Sequence, residues 1–234
     1  LRTTTEGQTI TNEMDIGLTT NSFSTGLVGG KVVITERQMK RTTMDTWGVV
    51  GKQIGNAWAA KHDEDVQALY TSLNGGTKLG AAGAPFSAAN FIGVLGVART
   101  GKYGSALYVV HHPNAILRLN RDLAVIGSGT VVAIPEGFSA KRLTKYFDGI
   151  VISGVPAFHS GNIARDTSDD AIGVIADRSA LGFLSGLTRR EKKRDAEISG
   201  GGWILVVEEE YTAFEIDDTM GAGLTYDAVN PATS

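Results

Sequence analysis

The chain has 234 residues, a net charge of −3, 42% hydrophobic residues and no cysteine. That is apolar enough for a real core, and one large or two small domains fit the length. It excludes disulfides and thiolate metal sites, and it lacks the global basic signature of a nucleic-acid binder.

Residues 1–15 are polar and Thr-rich without periodicity, and read as an extended arm that orders only against a neighbour. Next, Ile16 to Ser24 and Lys31 to Arg37 read as two strands of a hairpin. Its tip would be Thr25-Gly26-Leu27-Val28-Gly29-Gly30, where glycine permits a tight reversal. A helix is predicted from an N-cap at Asp45 to Asn74, with Gly75-Gly76 stopping it. Trp47, Val50, Ile54, Ala57, Trp58, Val66, Leu69, Tyr70 and Leu73 recur at helical spacing. Gly48, Gly51 and Gly55 each cost this helix roughly 1 kcal/mol relative to Ala, which packing must offset. Lys61 and His62 interrupt the apolar stripe and point to a polar contact or water there. A two-stranded ribbon is not self-sufficient, and its edges offer unpaired N–H and C=O groups. A ribbon tied to a long helix points to a protein that clasps copies of itself, a shell subunit rather than an enzyme.

Beyond this the pattern is α+β. Ser87 caps a predicted helix over Ala88 to Arg99, and Ala106 to Val110 reads as a buried strand. Pro113 opens a helix running to about Arg121. Strand is expected at Val131 to Ile134, helix at Ser139 to Phe147, and strand at Ile150 to Ser153 before a turn at Gly154-Val155-Pro156. Further strands are expected at Ala171 to Ala176, Leu187 to Arg194, Trp203 to Val207 and Tyr211 to Ile216. The continuous apolarity of Trp203 to Val207 predicts cover on both faces, and Glu208-Glu209-Glu210 predicts emergence at a surface. The last residues read as a polar tail. The longest apolar runs, such as Phe91 to Ala98, are too short to span a bilayer, so no membrane partner is expected. No signal-peptide pattern opens the chain, whose first residue is Leu1.

The nearest approach to an active-site motif is Gly96-Val97-Ala98-Arg99-Thr100-Gly101-Lys102-Tyr103. It matches G-x-x-x-x-G-K but has Tyr where Ser or Thr would ligate Mg²⁺, and it ends a helix instead of joining strand to helix. Ala171 to Asp177 is a weak second half for such a site. His62 with Asp65 offers at most two ligands on one helix face, and His111-His112 point to opposite sides of an extended segment. His159-Ser160 are merely adjacent, which is not a triad. No catalytic, cofactor-binding or metal residues are assigned. Arg189, Arg190, Lys192, Lys193 and Arg194 form the one dense basic run. No aromatic residues interleave with it to stack bases, and Glu208, Glu209 and Glu210 follow, so interface charge pairing is the favoured reading.

The order of polar arm, Gly-tipped hairpin, long helix, mixed α/β region and strand-rich return resembles the major capsid protein of tailed bacteriophages, the Hong Kong 97 fold. Lys31-Val32-Val33-Ile34-Thr35-Glu36 followed by Asp45 to Tyr70 is similar to that family's hairpin exit and spine helix. Tyr108 to Pro113, Ile150 to Pro156 and Glu209 to Ile216 are similar to its later strands. The resemblance implies an N-terminal arm (1–15), an extended hairpin loop (16–39), a peripheral domain with the spine helix (40–104), an axial domain (105–184) and a return to the peripheral domain (185–234). It implies assembly as pentamers and hexamers into an icosahedral shell around double-stranded DNA, in a virion assembled in the host cytoplasm. Scaffolding, portal and decoration proteins would be partners, and packaged DNA would be contacted non-specifically. Gly26, Leu27, Val28, Gly29, Gly30 and Lys31 would lie on a neighbouring subunit. Some relatives crosslink through Lys and Asn; Lys31 stands alone in the loop with no assignable Asn, so crosslinking is not expected. The alternatives are an encapsulin-type nanocompartment shell enclosing a cargo enzyme, a hydrolase with an unusual site, and a tail-tube protein.

Overall fold

The computed structural model describes residues 23–41, 45–125, 150–195, 197–198 and 201–230. The arm, most of the first hairpin strand, the strand expected at Val131 to Ile134 and the helix expected at Ser139 to Phe147 lie outside the described residues. In chain order the elements are β1 (Gly26–Thr35), α1 (Glu36–Arg41), α2 (Thr46–Ala68), β2 (Leu79–Pro85), α3 (Ala88–Thr100), β3 (Tyr108–His111) and α4 (Pro113–Val125). Then follow β4 (Ile150–Ile152), β5 (Val155–His159), β6 (Asp170–Ala176), β7 (Leu181–Asp195), β8 (Gly202–Glu215) and β9 (Gly221–Asp227).

The larger sheet has six strands in the order β2-β9-β6-β3-β5-β4. Its side chains alternate between two faces. Val109, Ile175 and Leu224 meet Phe86, Phe91, Leu95, Ile116 and Leu119 on the side of α3 and α4. Val174 and Ala176 meet Tyr70 and Leu73, just beyond α2, on the other. Local chemistry sets the helix ends. Ser87 accepts from the N–H of Asn90 at 3.2 Å, as its sequence position predicts. Asp122, on α4, accepts from the N–H of Ala88 at 2.7 Å, so one helix helps cap the other. Arg118 pairs with Asp227 and ties α4 to the end of β9.

Three strands of this sheet escape the sequence pattern. β5 starts at Val155, inside the stretch read as a turn. β2 and β9 are rich in Gly and Ala, which are poor strand formers in isolation. Packing explains the composition. A Cβ on Gly223 would sit 2.6 Å from the carbonyl oxygen of Tyr70, and one on Gly221 would sit 2.8 Å from the Ala176 side chain. The small residues let the turn after α2 lie directly on the sheet.

The second sheet has three antiparallel strands in the order β1-β8-β7. It corrects the reading of residues 25–30 as a hairpin tip. Gly26–Thr35 is one continuous strand, paired with β8 from Gly26↔Tyr211 to Thr35↔Gly202. Of its glycines only Gly29 is closely approached across the strands: a Cβ there would lie 3.3 Å from the Glu208 side chain, whereas Gly30 faces open space. The strands expected at 203–207 and 211–216 are likewise one strand, β8, with the three glutamates inside it. Pairing on both edges holds the charged stretch in strand. The Trp203 to Val207 run is not covered on both faces either; of its five side chains only that of Val207 is buried, because α2 covers one side. The helix itself is shorter than predicted. It ends at Ala68 and continues as a single 3-10 turn over Leu69–Thr71. Its 23 residues span about 35 Å.

His111 is fully buried in the larger sheet, stacked on Phe86 with 5.3 Å between ring centroids. Burial lowers its pKa to about 4, with contact to the Leu224 backbone opposing and the neighbouring His112 adding to the drop. An unfolded histidine titrates near 6.5, so as pH falls from about 6.5 to about 4 the unfolded chain takes up a proton that the folded chain refuses. Stability should therefore be complete above pH 6.5 and decline across that window by on the order of 3 kcal/mol. Urea unfolding of wild type and His111→Leu at pH 7.5 and pH 4.5 tests this: the acid loss should shrink in the variant, and equal losses would refute it. Separately, Gly223→Ala should destabilise by about 1–3 kcal/mol, read as a lowered Tm, because the Tyr70 backbone must move. Gly51→Ala, at an open helix position, should be neutral or stabilising by up to about 1 kcal/mol.

Candidate functional site

The residues singled out as interface candidates come together on the three-stranded sheet. Paired residues on neighbouring antiparallel strands share a face. On β8, Trp203, Leu205, Val207, Glu209 and Tyr211 face α2; the register adds Val28, Gly30 and Val32 from β1 and Arg190, Lys192 and Arg194 from β7. The opposite face carries Leu27, Gly29, Lys31 and Val33, then Ile204, Val206, Glu208 and Glu210, then Arg189, Glu191 and Lys193.

The expected charge pairing is largely intramolecular. Arg189 pairs with Glu191 at 2.5 Å and with Glu208 at 3.4 Å. Arg194 reaches Glu36 on α1 at 2.6 Å. These arginines are well exposed, so such pairs contribute little to stability. Lys192 does something different. Its ammonium lies 3.8 Å from the centroid of the Trp47 ring and 4.7 Å from that of Trp203. The two indoles meet edge to face at 6.4 Å, so a cation clamps the start of α2 to the sheet.

Near the other end of α2 a polar-aromatic cluster holds it down. Tyr211 donates to Asp65 at 2.6 Å, and Lys61 pairs with the same carboxylate at 2.7 Å. Burial pushes the Asp65 carboxyl up, but the hydrogen bonds from Lys61 and Tyr211 outweigh it and hold it below the usual carboxylate range. Burial and the Asp65 charge raise the Tyr211 phenol. The His62 ring packs on Tyr211 at 4.5 Å and Phe183 at 5.1 Å, with Nε2 3.3 Å from Glu209. The polar contact predicted where Lys61 and His62 break the stripe is thus present. Its partners were not legible, because Phe183, Glu209 and Tyr211 lie more than a hundred residues away in sequence.

Between these two anchors α2 rests on Ile54 and Trp58, and no residue along the helix is fully buried. Grooves flank it. One of about 360 Å³ lies towards β1 and is lined by Val28, Val32, Val50, Ile54, Ala57 and Trp58. The other, about 410 Å³, lies towards β7 and is lined by Gly51, Gly55, Leu205, Val207, Thr188 and Arg190. Leu27 and Leu187 stand out at 66% and 70% exposure. The arrangement offers apolar surface on a charged ribbon, suited to contact with another macromolecule.

The other candidates are accounted for locally. Gly96 to Lys102 closes α3, with the Gly101 N–H bonded to the Val97 carbonyl at 2.7 Å. The Asp177 carboxylate accepts from the N–H of Ala106 at 2.7 Å and from Ser179. His111 is buried and His112 half-buried, and Ser160 accepts from Gln67 at 2.9 Å. Among the described residues no group of three or more His, Asp and Glu could hold a metal ion. Nor is any described helix long and apolar enough to cross a membrane.

No protein-family model matches the chain. No curated protein matches it either. Solved structures do. The capsid of cyanophage Pam1 matches with a TM-score of 0.63 and 14% identity, over 95% of this chain and 82% of that one. The holo-SrpI encapsulin of Synechococcus elongatus PCC 7942 matches with a TM-score of 0.63 and 13% identity, over 90% of this chain and 77% of that one. The head of Helicobacter pylori bacteriophage KHP40 matches with a TM-score of 0.60 and 11% identity, over 88% of this chain and 75% of that one. The chain therefore has the α+β fold shared by these phage capsid and encapsulin subunits, the Hong Kong 97 fold that the order of its sequence elements resembles.

Proposed function

We propose that this chain is a major capsid protein that assembles as pentamers and hexamers into an icosahedral shell enclosing double-stranded DNA. The observation that carries the reading is the fold shared with capsid chains over nearly the whole length. The incompletely buried α2 and its open grooves support it, since they suit a subunit whose packing is finished by copies of itself. Ring contacts between identical subunits are head-to-tail and close by rotation. Many weak contacts per subunit then sum to a stable shell. In this reading the five segments keep the roles of arm (1–15), loop (16–39), peripheral domain (40–104 and 185–234) and axial domain (105–184). The strand Gly26 to Lys31 and the exposed Leu27 and Leu187 contribute subunit contacts. Scaffolding, portal and decoration proteins, the DNA contents, and assembly in a host cytoplasm into a virion belong to the same proposal. The function is structural, with no catalytic centre.

The likeness to the encapsulin gives a specific reason to keep a second reading, a nanocompartment shell around a cargo enzyme. Electron microscopy of purified particles, with nuclease and proteomic assay of their contents, separates the two: DNA supports the capsid, a single enriched enzyme the encapsulin. Deleting residues 24–31 would remove a strand bonded to β8, so surface substitutions test assembly more cleanly. Leu27→Glu with Leu187→Glu should leave circular dichroism and Tm nearly unchanged while closed particles and free rings fall at least tenfold. Wild-type particle yield from that variant would contradict the assigned contacts, and absence of rings or shells from the wild-type chain under all conditions, co-expressed scaffold included, would contradict the function.

A further inference from the structure

We propose that His62 is a proton-operated latch between α2 and the three-stranded sheet, closed by transfer of a solvent proton to its imidazole. The ring is already in place, packed edge-on against the stacked pair Phe183 and Tyr211. Its Nε2 is shielded from solvent and makes no hydrogen bond, yet it faces a Glu209 carboxylate oxygen 3.3 Å away. That distance is about half an ångström longer than a charge-assisted N–H···O bond, which forms near 2.7–2.9 Å. A neutral imidazole brings no charge to the contact, and in its Nδ1–H tautomer no donor either. A charged one supplies an N–H donor and an opposite charge to Glu209, so helix and sheet draw together. Histidine is the side chain whose ordinary titration crosses pH 5 to 8.

The charged groups nearest His62 on its own helix are already engaged, and Glu209 keeps one oxygen for it. On α2, Asp65 is taken by Tyr211 and Lys61, and Lys61 is in turn held by Asp65. On β8, Tyr211 donates its only proton to Asp65. On β7, Ser185 holds the other oxygen of Glu209 at 3.3 Å, and Arg190 shares the groove that Glu209 lines. Glu64, next along the helix, adds negative charge near Tyr211. No residue of α2 is fully buried, so one new charge-assisted bond changes how firmly the helix is held. The effect is opposite in sign and in place to that of His111, whose protonation loosens the six-stranded sheet.

Hydrogen exchange of the full chain, followed by mass spectrometry at pH 7.5 and pH 5.5 and corrected for intrinsic rates, tests the latch. Peptides from the second half of α2 should exchange at least tenfold more slowly at the lower pH, the effect of one charge-assisted bond. Glu209→Gln and His62→Gln should each lose that gain while the six-stranded sheet keeps its own pH response. If one variant fails to fold, the other carries the same comparison. Unchanged or weaker protection of α2 in the wild type at pH 5.5 would overturn the proposal, as would a gain that survives in either variant.

Discussion

Double pairing of β8 is the constraint on which the rest of the smaller sheet depends. The strand bonds β1 along one edge and β7 along the other, so segments from opposite ends of the chain become neighbours. Once that register is set, every side chain has its face assigned. Shifting it by one residue would exchange the Trp203, Leu205 and Val207 row for Ile204, Val206 and Glu208 beneath α2. It would also carry Glu209 and Tyr211 away from His62 and Asp65. The anchors of α2 are thus a consequence of strand register, and they sit at its two ends with Ile54 and Trp58 between.

The same helix links the two sheets. Tyr70 and Leu73, just past its end, are buried against Val174 and Ala176, and the Tyr70 carbonyl lies over Gly223. A displacement of α2 on the smaller sheet therefore reaches the larger core through a contact too tight to admit a Cβ. The larger sheet is the rigid member, with densely packed aromatic rings at Phe86, Phe91 and Tyr226. The smaller sheet keeps most of its outer side chains in solvent. This division suits a subunit that folds around one core and offers a second, less complete surface to its neighbours.

Part of the charged run that looks like an interface in sequence is tied within the chain. Arg189 and Arg194 find acidic partners within the chain, and Lys192 is placed on two indoles. What remains open is mixed: the apolar Leu27 and Leu187, the grooves beside Ile54 and Trp58, and the exposed Lys31, Arg190 and Lys193. Apolar contact is the less directional force, so this part of the surface restricts the angle of a partner less than ion pairs would.

Local signals were legible wherever the determinants lie within a few residues. Ser87 and Pro113 open helices at the expected positions, the apolar runs at 108–110 and 171–176 are strands, and the order of elements alone pointed to the capsid-type fold. Other features escaped because their causes are distant. The Gly-Ala strands β2 and β9 carry no strand signal of their own; a neighbour's backbone requires their small residues. Gly26, Gly29 and Gly30 read as a turn because glycine permits one, but a long partner strand kept them extended. Charge at 208–210 suggested an exit from the sheet, yet hydrogen bonds on both edges held it in strand. The sequence by itself determined α3 and α4, the strands at 108–110 and 171–176, and the presence of a polar break at Lys61 and His62. Only the tertiary structure decided who meets that break, because strand register and cross-sheet packing are set by residues far apart in the chain, whose meeting no local pattern encodes.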